Sequence, residues 1–271
     1  MSDRDVPSVD FDLALLHAAD VDRLARRASA DPSGAVCEEL DAAFLDALAE
    51  LPFGVPFTFV EQYAGALVHD VRPASGHEAE QSSRGRVALG FHTDDSFLDP
   101  SARPEHLALL GVSNPERVPT HAVRVDDVVA QLERETIERL GRPSFRFACP
   151  ASFEVSDGFD ARVPPRPILR TRPDGRTEVS FAPSTVVVDD DDAEHHLALF
   201  REALDRAPRS TFVLDAGEIL FVSNARCLHG RPPVVDVDRW IKRVYLRSDL
   251  SMLDRVAATG SPGVYAAKKA I

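Results

Sequence analysis

His92, Thr93 and Asp94 stand where a strand-like run, RVALGF, meets a polar turn. In extended chain, residues i and i+2 point to the same side, so the imidazole of His92 and the carboxylate of Asp94 can converge on one ion. A third donor must come from elsewhere. His229, in Cys227-Leu228-His229-Gly230-Arg231 after the strand-like EILFVSN, is placed to supply it. Two imidazoles and one carboxylate on one face leave three coordination positions open. That donor set suits iron(II) and dioxygen chemistry, because substrate and O₂ both need vacant positions. None of the other seven histidines (His17, His69, His77, His106, His121, His195, His196) has a carboxylate two residues on. A His-x-Asp pair alone also describes a structural histidine beside a solvated turn carboxylate, so its surroundings matter.

Downstream of His229 runs RWIKRVYLR. As a strand it places Arg239, Arg243, Tyr245 and Arg247 on one face. A row of arginines directed into a core is costly unless each meets an anion. A dicarboxylate cosubstrate and a carboxylate-bearing substrate would supply those anions through bidentate pairing. An exposed edge strand with solvated arginines is the other reading of the same run.

The elements that must position these residues are mostly β. Apolar residues recur at helical spacing over 13–27 (Leu13, Leu16, Val21, Leu24), interrupted by His17 and Asp20. A cleaner helix runs over 35–51, where Leu40, Phe44, Leu48 and Leu51 share a face and Pro52 stops it. Then VPFTFV, ALVHDV, RVALGFH, HLALLGV, THAVRV and FRFACP read as short strands between Pro, Gly and Asn. The polar stretch 75–85 reads as a loop and a candidate lid, or as an ordinary surface loop. One helix is expected over 126–140, opened by Asp126-Asp127 and closed by Gly141. A hairpin turning at Pro173-Asp174-Gly175 follows, then the acidic run 189–192 leading into a helix over 193–204. Asp189 and Asp191 in that run could meet a cationic substrate side chain, although acidic residues also suit a helix start. The pattern predicts one domain over 1–271: N-terminal helices over 1–52, a β-sandwich or jelly-roll core over 53–250, and a tail over 251–271.

Composition narrows the function. The net charge of −13 opposes a nucleic-acid backbone or an anionic membrane as the main partner. No run approaches the roughly eighteen apolar residues that a membrane span needs. The acidic start has no apolar leader segment, and the three cysteines form no CxxC. A cytoplasmic protein acting on a small molecule is the expectation.

HTDDSF, RPEHLALLGVSNPERVPT, LHGRPP and DRWIKRVYLRSDL resemble the clavaminate synthase-like group of iron(II)/2-oxoglutarate oxygenases. That group includes hydroxylases of free amino acids such as arginine, lysine and asparagine. The resemblance covers about residues 88–250 and implies a double-stranded β-helix, that is, a jelly roll with flanking helices. It implies that His92, Asp94 and His229 bind iron(II), and that 2-oxoglutarate and O₂ are cosubstrates. It further implies that Arg243 pairs with the distal carboxylate of 2-oxoglutarate, supported by Thr120. Arg247 would then bind the α-carboxylate of the substrate, and Gln62 its amino group. Asp94 stands where several amino-acid hydroxylases of the group carry Glu, and it argues against a halogenase. The leading expectation is hydroxylation of a free, basic or polar L-amino acid. The same machinery could desaturate, cyclise or oxidise a sulfonate. A jelly-roll protein that binds a small carboxylate without iron is the reading from another class.

Overall fold

The computed structural model describes residues 12–150, 153, 163–254 and 263–267. In chain order the first half runs β1 (Leu13–His17), α1 (Ala19–Ala30), α2 (Gly34–Ala49), β2 (Val55–Phe59), β3 (His69–Val71), β4 (Leu89–His92), β5 (His106–Ser113) and β6 (Thr120–Arg124). It continues with α3 (Val125–Val129), α4 (Arg134–Leu140), β7 (Arg146–Phe147), β8 (Leu169–Thr171), β9 (Thr177–Val179) and β10 (Val186–Val187). The remainder is α5 (Asp191–Arg206), β11 (Ser210–Phe212), β12 (Glu218–Ser223), β13 (Cys227–Arg231), β14 (Trp240–Arg247), α6 (Ser251–Asp254) and β15 (Val264–Tyr265). The protein is mostly β with a few helices. Among the described residues no helix is long and apolar enough to cross a membrane.

The larger sheet has seven strands in the order β1-β12-β5-β14-β2-β15, with β3 also paired to β14. The smaller has four, in the order β11-β6-β13-β4. The larger sheet is buried on both faces, which explains why its central strands read as continuous apolar runs. Side chains alternate with period two. Leu107 and Leu109 join one core while Ala108, Leu110 and Val112 join the other. Strand β12 does the same, sending Leu220 and Val222 one way and Ile219 and Phe221 the other. The second core is closed by α1 (Val21, Leu24, Ala28) and α2 (Leu40, Phe44, Leu48), whose apolar residues recur at the i, i+4 spacing of a helix face.

Strand β14 carries cations to both faces. Lys242, only 1% exposed, points to the helix side and pairs with Asp41 of α2 at 2.7 Å and Asp70 of β3 at 3.0 Å. Removing one partner of a buried ion pair leaves the others uncompensated. Because both carboxylates are partly exposed, the Lys242→Met variant is expected to lose about 2 kcal/mol. A lower urea midpoint at unchanged slope is the measurement.

Three expectations change. Residues 13–17 form a strand, because pairing with β12 outweighs the patchy helical stripe that His17 and Asp20 break. The helix expected over 126–140 is two short ones, α3 and α4, which bury Val125 and Val128, then Thr136 and Leu140. Within the expected tail, Val264 and Tyr265 pair parallel to β2. Residues 1–9 lie outside those described.

Candidate metal centre

Strands β4 and β13 bring the two histidines together: His92 and His229 are register partners, their ring centroids 4.3 Å apart. The ladder shifts register just beyond them, a bulge of the kind that re-aims side chains near active sites. Close approach of the two backbones there depends on Gly230. A Cβ on it would lie 2.7 Å from the Leu89 carbonyl oxygen and 3.1 Å from the Gly90 carbonyl carbon. Gly230→Ala is therefore expected to push β4 away and weaken metal binding about tenfold, read by iron(II) titration.

Asp94 follows His92 at the start of a tight turn. Asn224 locks its backbone: Asp94 N–H donates to Asn224 Oδ1 at 2.7 Å, and Asn224 Nδ2 donates to the Asp94 carbonyl at 3.1 Å. Asp95, next in line, has a left-handed backbone (φ 55°), a costly conformation for a residue with a Cβ. The Asp94 carboxylate Oδ1 lies 3.2 Å from His92 Nε2 and 3.6 Å from His229 Nε2. One ligand atom from each residue lies within 4.8 Å of the others, a donor set that fits one ion. His92 Nδ1 donates to the Gly90 carbonyl at 2.9 Å, which fixes the tautomer and leaves Nε2 free as a ligand. Burial, with His92 alongside, pushes His229 down to about 3 and keeps it neutral. Burial opposes ionisation of Asp94, but the Arg243 guanidinium holds it well below the usual carboxylate range. A neutral His229 and an ionised carboxylate result. This is the combination a divalent metal takes.

The three residues line a cavity of about 430 Å³. Thr120 and Gln62 line it too, as does Arg243. Arg243 donates to Asp94 Oδ2 at 2.7 Å and to His69 Nδ1 at 3.1 Å. His69 is fully buried and stacked on Tyr63 at 4.4 Å. Since Nδ1 accepts from Arg243, the Nε2–H donates to Thr58 Oγ1 at 3.0 Å, so one neutral tautomer braces the arginine. Gln62 Nε2 donates to Tyr245 Oη at 3.4 Å, while Gln62 Oε1 and Asp95 Oδ2 are buried oxygens without a hydrogen-bond partner among the described residues. Burial, with Asp94 adding to it, pushes Asp95 up to about 8.

Arg239 is the cation to which the resemblance assigned no role. It lines the cavity, is 4% exposed, and its Nε has no hydrogen-bond partner. Burial, with Arg231 nearby, pushes it down to about 10. A buried guanidinium of this kind calls for an anion. The signal for it was the shared strand face with Arg243; nothing in the sequence signalled the brace by His69.

Three expected substrate contacts lie elsewhere. Arg247 is not among the cavity residues; it donates to the Arg103 carbonyl at 2.7 Å and the Asp249 carbonyl at 2.8 Å, beyond the end of the cavity face. Asp189 is exposed and pairs with Arg146, and Asp191 is an exposed first residue of α5. Neither lines the cavity, because the acidic run serves the helix start, where Asp190 caps the Asp192 N–H at 3.1 Å. The 75–85 segment does border the cavity, through Glu80, Gln81, Ser82 and Ser83. Arg231 ties it down by donating to the Gly85 carbonyl at 2.6 Å.

No family model matches the chain. It is 33% identical over 206 residues to the L-asparagine oxygenase of Streptomyces coelicolor, an alignment covering 73% of this chain and 59% of that protein. It is 31% identical over 235 residues to the enduracididine beta-hydroxylase of Streptomyces hygroscopicus, covering 76% and 67%. The structure of the non-haem iron oxygenase OrfP with Fe and alpha-ketoglutaric acid superposes with a TM-score of 0.73 at 30% identity, covering 91% of this chain and 78% of that one. The chain thus spans between 59% and 67% of the length of these two curated relatives.

Proposed function

The chain belongs to the clavaminate synthase-like amino acid oxygenases, and from that premise we propose that it is an iron(II)- and 2-oxoglutarate-dependent hydroxylase of a free L-amino acid. The observation that carries this reading is the convergence of His92, Asp94 and His229 in a cavity whose wall holds a buried, unpaired guanidinium. We read the two sheets as the two halves of a double-stranded β-helix and residues 1–271 as one domain.

In this reading His92, Asp94 and His229 would hold the metal at the wall of the cavity they line. Iron(II), when bound, supplies dioxygen activation, with 2-oxoglutarate oxidised to succinate and CO₂ as the source of two electrons. Arg239, with the Thr120 hydroxyl, takes the distal carboxylate of 2-oxoglutarate, because it has no counter-charge among the described residues and, unlike Arg231, which also lines the cavity, is not spent on backbone carbonyls. Arg243, braced by His69, takes the carboxylate of the amino acid. The Gln62 Oε1 acceptor, which has no donor among the described residues, suits its ammonium group. The 80–83 segment, held by Arg231, covers the mouth and limits water entry.

Succinate release with iron(II) and 2-oxoglutarate across the common amino acids, ornithine and citrulline tests this reading. At least one should stimulate turnover and gain one oxygen by mass. Normal iron binding with no stimulation by any of them would sink the free-amino-acid reading, and loss of two hydrogens would make the protein a desaturase.

A further inference from the structure

A second cleft, of about 300 Å³, is lined by Asp99–Ser101, Arg103–Glu105, the β8–β9 hairpin, Asn224, Ala225 and Arg247 rather than by the metal ligands. Its floor is polar and buried: Arg103, Glu178, Asn224 and Arg247 are each less than a tenth exposed. The charges there do not balance. Glu178 accepts from Arg170 Nε at 2.9 Å and from Arg172 Nη1 at 3.0 Å, so one carboxylate serves two guanidinium groups. Asp174 at the hairpin tip is likewise shared, by Arg172 at 3.5 Å and Arg176 at 3.0 Å. Arg247 has Glu105 at 3.3 Å, and the neighbouring Arg166 has Asp99 at 3.0 Å.

Arg103 is left over. It is 5% exposed, its side chain donates to the neutral hydroxyl of Ser180, and its Nε has no partner among the described residues. Burial pushes it down to about 10; Glu178 acts in its favour, and Arg170 and Arg166 act against it. Among the residues that line the cleft, four guanidinium groups (Arg103, Arg170, Arg172, Arg247) thus meet three carboxylates (Asp99, Glu105, Glu178), of which Asp99 also serves Arg166, a local excess of positive charge in a chain of net charge −13. Elsewhere this protein spends acidic residues freely. The buried Arg103, with the more exposed Arg170 and Arg172 lining the same cleft, has the makings of an oxyanion site, since planar guanidinium forks match carboxylate and phosphate oxygens.

We propose that this cleft is a second anion site, distinct from the metal cavity, that takes a small dianion with carboxylate or phosphate oxygens. It owes nothing to the chemistry proposed at the metal. The test is calorimetric titration of the full chain with inorganic phosphate and, separately, with succinate, in dilute Tris. An Arg239→Gln background removes the unpaired cation of the metal cavity. Saturable binding of at least one anion is expected; phosphate alone marks a phosphoryl ligand, succinate alone a dicarboxylate, and both the shared oxyanion chemistry. The double variant Arg170→Gln/Arg172→Gln, both at the hairpin surface, should weaken it at least about tenfold. Glu178→Gln removes the competing carboxylate and should tighten it several-fold, the opposite sign. No saturable binding of either anion overturns the proposal. So does binding that both sets of variants leave unchanged, or that Glu178→Gln weakens.

Discussion

The His229→Ala variant is expected to lose iron(II) binding by more than about 100-fold, because even residues that only support metal ligands cost about 10- to 100-fold when removed. Two donors remain, and one of them, Asp94, is already engaged by Arg243 at 2.7 Å. Anaerobic titration with iron(II) and 2-oxoglutarate reads this directly, as loss of the weak visible charge-transfer band. Folding should survive. The backbone pairing of position 229 with His92 and Ala122 does not depend on the ring, and the ring's Nδ1 is a buried nitrogen without a partner. Stability is expected to stay within about 1 kcal/mol, since the substitution removes an unsatisfied polar atom along with some packing. Wild-type iron affinity in this variant would refute the metal centre; a collapse of the fold would instead give the ring a structural role.

The second large effect separates two arginines. Arg239→Gln is expected to raise the KM for 2-oxoglutarate about 30-fold or more, the loss of a buried, charge-assisted carboxylate contact of about 2 kcal/mol or more. The KM for the amino acid should move far less. Arg243→Gln is expected to do the reverse. The reasoning is one of compensation: Arg243 already has Asp94 as counter-charge, whereas Arg239 has none among the described residues. Arg239→Gln also removes an uncompensated buried charge, so the metal-free protein should melt at a higher temperature than wild type. Steady-state kinetics on the two variants decide the matter. An unchanged KM for 2-oxoglutarate in Arg239→Gln, with a rise in Arg243→Gln, returns the role to Arg243.

Much of this was readable from residues alone, for a physical reason. The His92–Asp94 pair is local, and period two in an extended segment suffices to aim both side chains at one point. Strands β2, β3, β5, β12 and β14 of the larger sheet were legible as apolar runs, and the arginine face of β14 followed from the same period. What escaped depends on contacts far apart in sequence. Leu13–His17 is a strand because β12 lies beside it, and no local pattern says so. His69 gains its role from Arg243, Thr58 and Tyr63, three residues on separate segments. Asp189 and Asp191 looked available because they are charged, yet they are spent on a surface pair and a helix start.

The alternation of Lys242 and Arg243 along β14 sets a rule for length changes. Sliding this strand by one residue would drive an arginine toward Asp41 and a lysine toward Asp94, so both faces veto the slip. The connection 232–238, between β13 and Arg239, lies outside both strands and is under no such veto. Counting from the histidine is therefore an elastic ruler, which insertions or deletions stretch at will. Position within the strand is a rigid one, and arginines in distant relatives should be matched by the face they occupy.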